Sequence, residues 1–269
     1  VTALLADLTR DGVRTRAMAM IGLSIGLTFS VSLVVAPMIA DIIGVSGLFM
    51  LTGILTVISI GVVAWMTPDP EVSKLHEDTQ AQPSRMGEVL RDRQLLNLDF
   101  GIFALHAAQM ALFTALPFAM TQLGLEKIQH WKVYLPSTIA GLVIMIPLII
   151  IGETRNKLKQ VFILGIACIA AAQIGLLFGM HSIWLITAYL VVYFIGFNVL
   201  EASLPSMVSK IAPADLKGTA MGVYNTMQSV GLFVGGASGG WLFQQYGFAG
   251  VFTFCSILML LWLVIAVLA

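Results

Sequence analysis

Residues 183–206 read IWLITAYLVVYFIGFNVLEASLPS, twenty-four residues with a single charge, Glu201. A run this long and this apolar matches the roughly 20 residues that an α-helix needs to cross a bilayer. It also carries Asn198 and Glu201 one helical turn apart, which a segment made only to dissolve in lipid would not. The rest of the chain repeats the first feature. Apolar residues make up 58% of the 269 and charged residues 10%, with a mean hydropathy of +0.95. A soluble domain carries about 25% charged residues because its surface faces water, so this chain is expected to face lipid. The formal net charge is zero, which leaves no basic footprint for nucleic acid. Cys168 and Cys255 both fall inside apolar runs and suggest neither a disulfide framework nor a metal site.

The charges are bunched, and the gaps between bunches have spanning length. Apolar runs occur near 17–40, 47–66, 100–123, 133–151, 161–180, 182–209, 219–243 and 248–268, with residues 1–6 as the tail of another. Lipid offers no partner to unpaired backbone groups, so such runs are expected to be helices; a β-barrel would show short alternating segments instead. The long connection, TPDPEVSKLHEDTQAQPSRMGEVLRDRQ at 67–94, is polar and proline-containing. It reads as a linker with a short amphipathic helix at 84–95. If Arg10, Arg14 and Arg16 lie inside, alternation puts twelve lysines and arginines inside and only Lys127 and Lys132 outside. That asymmetry predicts a cytoplasmic linker and a cytoplasmic C-terminus.

An internal repeat runs through the chain at a constant offset of 203 residues. RAMAMIG (16–22) aligns with TAMGVYN (219–225), and DIIGVSGLF (41–49) with QQYGFAGVF (244–252). Ala17, Met18, Gly44, Gly47 and Phe49 thereby pair with Ala220, Met221, Gly247, Gly250 and Phe252. Parallel repeats of this kind build transporters from two halves. Six spans per repeat imply an all-α membrane protein with eight helices present of an expected twelve. Residues 1–66 would be the end of an N-terminal six-helix bundle (tail of helix 4, helices 5 and 6), 67–97 the cytoplasmic linker, and 98–269 the C-terminal bundle of helices 7 to 12. The helices ahead of Val1 are then expected to be missing partners of the same protein, and this length alone is expected not to transport.

Two six-helix sets joined by a cytoplasmic linker resemble the major facilitator superfamily, and the resemblance covers essentially the whole chain. The stretches ADLTRDGVRTRAMAMIG, FGIFALHAAQM, HWKVYLP, KLKQVFILG, FNVLEASLPSMVSKIAPADLKGTAMGVYNTMQSVG and GGASGGW look like a YajR-type bacterial inner-membrane transporter of that superfamily. The resemblance implies two bundles around a central cavity, alternating access and coupling to protons. Asp7 matches an acidic position at the end of helix 4 that pairs with a cytoplasmic signature, of which GETRNKLK (152–159) is a degenerate echo. Asp7, Arg10 and Arg16 are accordingly cytoplasmic gate candidates. The helix 5 antiporter pattern is reduced to VVAPMIA around Pro37.

Physical reading of single residues adds the remaining candidates. Gly22 and Gly26, then Gly231, Gly235 and Gly239, recur every fourth residue, the spacing that lets membrane helices approach closely. Ser24, Thr28 and Ser32 form a polar stripe that either lines a cavity or bonds back to its own backbone carbonyls. Pro37, Pro117, Pro136, Pro147 and Pro205 interrupt spans and are expected to kink them. His106 and Gln109, with Asp99 two turns earlier, offer a proton carrier or a hydrogen-bonded structural histidine. Glu201 is the sharper candidate, since a charge at the bilayer centre costs about 2.5–3.5 kcal/mol. It carries a proton between two sides of a membrane, or it pins its helix by hydrogen bonding or sits low enough to reach cytoplasmic water; Asn198 fits either role. No metal-ligand spacing, nucleophile elbow or phosphate loop marks an enzyme, and no cofactor is expected. The function implied is a secondary transporter of a small molecule in the bacterial inner membrane, proton-coupled, with efflux favoured. The alternative is a non-transporting binding or assembly subunit on the same scaffold.

Overall fold

The computed structural model describes residues 11–66 and 83–268. Among them there is no strand. The chain divides into two compact units, Val1–His76 and Glu77–Ala269. The helices are α1 (Asp11–Met66) in the first unit and α2 (Met86–Val89), α3 (Arg93–Gln122), α4 (Trp131–Thr154), α5 (Leu158–Gly179), α6 (Ile183–Ile211) and α7 (Lys217–Leu268) in the second. Six helices among the described residues are long and apolar enough to cross a membrane. The expectation was eight separate ones, and the difference lies at two glycines.

In α1 the backbone leaves helical geometry only at Gly44 (φ 72°, ψ 171°), and in α7 only at Gly247 (φ 62°, ψ −151°). Both fall in a region of backbone space that is essentially closed to residues with a Cβ. An uninterrupted helix of 52 residues would be about 78 Å long, far beyond a bilayer core of about 30 Å. The second unit shows what the break does. The first arm of α7 runs parallel to α3, with Gly231 opposite Phe103, Gly235 opposite Ala107 and Gly239 opposite Ala111. The second arm runs the other way, with Cys255 Sγ donating to Ala108 O at 3.8 Å and Trp262 packed on Gly101. The helix therefore turns back on itself at Gly247 and sandwiches α3. Of the polar stretch QQYG (244–247) between the expected spans 219–243 and 248–268, only Gly247 leaves helical geometry. Local geometry also repeats at the offset of 203: a Cβ on Gly47 would meet Ile43 at 2.7 Å, and one on Gly250 would meet Tyr246 at 2.6 Å.

Helix continues through Pro37, Pro117, Pro136, Pro147 and Pro205, and the non-helical backbone inside α1 and α7 sits at the two glycines. In the first unit, Thr52, Thr56 and Ser59 hydroxyls donate to Leu48, Thr52 and Leu55 carbonyls at 2.8–2.9 Å. Such back-bonding satisfies hydroxyls where no water is available. Ile42, Phe49, Val57 and Trp65 of α1 are exposed, an outer surface suited to lipid and not to water.

In the second unit α3 is the central helix. Ala104, Ala107, Ala108, Ala111 and Ala115 are fully buried, and their small side chains admit both arms of α7. Large core residues surround them: Ile102, Leu112, Met120, Ile166, Tyr193, Phe194, Phe252 and Trp262. The linker helix expected at 84–95 is shorter. It consists of a 3₁₀ turn at Pro83–Arg85 and α2, and it ends because Asp92 caps α3, accepting from Gln94 N at 2.8 Å and Leu95 N at 3.1 Å. α3 consequently begins at Arg93, ahead of the run expected from residue 100. Arg85 grips its own turn through Glu88 at 2.7 and 2.8 Å, and reaches Asp215 in the 3₁₀ turn Ala214–Leu216 that precedes α7. Hydrogen bonding to the guanidinium holds both carboxyls below their ordinary range.

Candidate functional site

Three helices meet at His106. Its Nδ1 lies 3.2 Å from the carbonyl of Ile102, one turn back on α3. Its Nε2 lies 2.8 Å from Nε2 of Gln228 on the first arm of α7, and 3.8 Å from Oε2 of Glu201 on α6. The phenyl ring of Phe197 stands edge-on to the imidazole at 5.9 Å, and Tyr193 stacks on Phe197 at 6.0 Å. His106 is buried, with 6% of its side chain exposed, whereas Glu201 has 40% exposed. Yet Glu201 Oε2 itself is buried and has no hydrogen-bond partner. The glutamate thus stands at the margin of the bundle with one oxygen turned inward.

The geometry selects a tautomer. Nδ1–H donates to Ile102 O, leaving Nε2 as an acceptor for the Gln228 amide N–H. A second proton on Nε2 would end that arrangement, because two donors would then face each other. The amide would have to turn its oxygen inward, or Nε2–H would swing to Glu201. Gln228 and Glu201 therefore offer the imidazole alternative partners for its two protonation states.

Asn198 lies one turn from Glu201 on α6, its Nδ2 buried and without a partner. Gln109 is buried on α3, one turn beyond His106. Thr28 is exposed on α1 and its carbonyl accepts from Ser32 Oγ at 2.7 Å; that is the back-bonded member of the two readings of the stripe. Pro37 is half-buried on the same helix. Asp7 and Arg10 lie outside the described residues. For Arg16, Gly22, Ser24 and Gly26 the structure describes the helical backbone and not the surroundings of the side chains. Gly231, Gly235 and Gly239 face α3 across distances that leave no room for a methyl group.

Three residues of this region were not singled out from sequence: Gln228, Tyr224 and Tyr193. Gln228 had a signal, since it extends the stripe of Gly231, Gly235 and Gly239 by one turn toward α3. A polar residue on the closest-packed face of an intramembrane helix finds a partner or stays unsatisfied. The tyrosines, embedded in apolar runs, carry no comparable mark. Among the described residues no three histidines, cysteines or carboxylates gather as a metal site would require.

The family model of the Major Facilitator Superfamily matches residues 1–236 and 156–269. The chain belongs to the Major Facilitator Superfamily. Within it, the chain is 38% identical over 266 residues to the inner membrane transport protein YajR of Escherichia coli (strain K12), covering 99% of this chain and 59% of that protein. It is 27% identical over 234 residues to the uncharacterized transporter BU466 of Buchnera aphidicola, covering 87% of this chain and 60% of that protein. The multidrug resistance protein MdtH of Cronobacter sakazakii is 25% identical over 195 residues, 71% of this chain and 46% of that protein. The chain thus spans about three fifths of the length of its first relatives. This superfamily is one of membrane transporters, not enzymes, and the apolar helices are those of a multi-pass membrane protein.

Proposed function

We propose that this chain forms the second bundle and part of the first in a secondary active transporter, which moves a small molecule across a bacterial inner membrane by alternating access. Coupling to protons runs through Glu201 and His106. The observation that carries the reading is the inward-turned, unpartnered Oε2 of Glu201, 3.8 Å from a buried imidazole whose other partners are already assigned. At 3.8 Å the two groups are close enough for a proton to pass from one to the other. Asn198 and Gln109 lie on the same helix faces as cavity candidates, and Asp7, Arg10 and Arg16 are gate candidates at the cytoplasmic side.

The break at Gly44 has a positive φ, as does the turn at Gly247, and the flanking residues repeat at the same offset. This supports two spans in each of the long helices, hence eight spans out of twelve, with the remaining helices of the same protein completing the cavity. The excess of lysine and arginine on alternate connections favours a cytoplasmic linker and a cytoplasmic C-terminus. Efflux is the favoured direction, supported by the likeness to a protein named for multidrug resistance. The test uses the full-length protein in lipid vesicles under an imposed pH gradient, challenged with a panel of small organic compounds. Gradient-driven movement of at least one compound is expected. Binding of partners without flux of any compound would favour the assembly-subunit reading.

A further inference from the structure

Asp99 lies on α3 seven residues before His106, about 10 Å nearer the arginine-bearing end of that helix. It is 4% exposed, and its Oδ2 has no hydrogen-bond partner. Tyr224, on the first arm of α7, is 3% exposed, and its hydroxyl is also without a partner. The register set by Gly231 on Phe103, Gly235 on Ala107 and Gly239 on Ala111, continued down both helices, brings Asp99 level with Met227, less than one turn from Tyr224. Tyr224 lies within electrostatic reach of both Glu201 and Asp99. Buried polar atoms are nearly always paired, so the unpartnered oxygens of Asp99, Tyr224 and Glu201 call for an explanation. Buried water bridging such groups is a common one.

We propose that Asp99 and the Tyr224 hydroxyl form a proton path between Glu201 and the end of the bundle that bears Arg91 and Arg93. The proposal rests on Glu201 being the proton-carrying group. A proton from bulk water binds the Asp99 carboxylate. It passes by way of bridging water to the Tyr224 hydroxyl, which accepts it and releases its own proton onward to the Glu201 carboxylate. One O–H bond breaks and one forms at each transfer, and no other bond changes. The titratable groups near this path are His106, 3.8 Å from Glu201, Asp99 and Glu201, which both act electrostatically on Tyr224, and Tyr193, on which Glu201 and Cys255 act.

Infrared difference spectroscopy of the full-length protein in lipid vesicles tests the path without knowledge of the substrate. After a rapid acidification of the bath, the carboxylic C=O band that Glu201→Gln removes is followed in time. With Tyr224→Phe the band should rise roughly a hundredfold more slowly, the lower end of what losing one positioned proton-transfer group does, and Asp99→Asn should slow it similarly. If Asp99→Asn does not fold, Tyr224→Phe carries the test, since it removes only an unpartnered hydroxyl. A wild-type rise in Tyr224→Phe would overturn the path while leaving Glu201 in place. A spectrum in which Glu201→Gln removes no band would overturn the underlying reading of Glu201 instead.

Discussion

Adding one methyl group at Gly235 should force two helices apart. A Cβ built there would lie 2.2 Å from the carbonyl oxygen of Ala107, 2.6 Å from its Cα and 2.8 Å from its carbonyl carbon. All three are backbone atoms of the central helix and cannot rotate away, so α3 and α7 must separate. Overpacking of this kind costs about 1–3 kcal/mol. Alanine also favours helix over glycine by about 1 kcal/mol, which works in the opposite direction. Gly240 supplies the control, because a Cβ there meets nothing within 4 Å and the propensity gain is the same. The difference between Gly235→Ala and Gly240→Ala thus isolates the contact. At about 2–4 °C per kcal/mol for a domain of this size, Gly235→Ala should melt roughly 2–12 °C below Gly240→Ala. A dye that fluoresces on reacting with newly exposed thiols reads the melt in detergent, since Cys255 is fully buried. Ala107→Gly should not rescue the variant, because the clash is with backbone. Equal melting of the two alanine variants would refute the close-packed arrangement of α3 and α7.

Gly44→Ala and Gly247→Ala should each destabilise by about 1–3 kcal/mol although neither new Cβ meets any atom within 4 Å; thermal melts check this, and unchanged melting would deny the left-handed backbone there. Nitrogen NMR of His106 at a pH where the ring is neutral should find the proton on Nδ1, with Gln228→Leu changing the Nε2 resonance and leaving Nδ1 bonded to Ile102. The Arg85 contact with Glu88 and Asp215 should weaken on acidification. Both carboxyls titrate below their ordinary range in the folded protein, so their contribution is present above the unfolded value and is lost as pH falls through the folded one. Hydrogen exchange over residues 83–89 should accelerate at acid pH, and also in high salt, which screens exposed charges.

The class of the protein is legible because lipid imposes a composition and a length that no soluble surface shares. The break near Gly247 was legible as the end of one apolar run and the start of the next, 219–243 and 248–268; that the chain turns at a single glycine was not, because the polar stretch QQYG stays helical up to it. Helix ends were harder. The α3 start at Arg93 depends on the Asp92 cap, a local hydrogen bond that a scan for apolar runs passes over. Within the site, Glu201 and His106 stood out as ionisable residues in apolar segments. Their approach to 3.8 Å was not readable, because it depends on how α3 and α6 pack, and Gln228 completes the cluster from a third helix. Prolines and glycines interrupt these helices differently. Loss of one backbone hydrogen bond at a proline bends a helix that neighbouring helices still support, whereas reversing the chain direction requires a backbone open to glycine.

The most direct test of the central claim compares wild type with Glu201→Gln in the full-length protein, reconstituted in vesicles that enclose a pH-sensitive dye. Expression and melting should be unchanged, and proton movement accompanying transport of a compound moved by the wild type should be lost. Proton movement at the wild-type rate in Glu201→Gln would remove this glutamate from the mechanism.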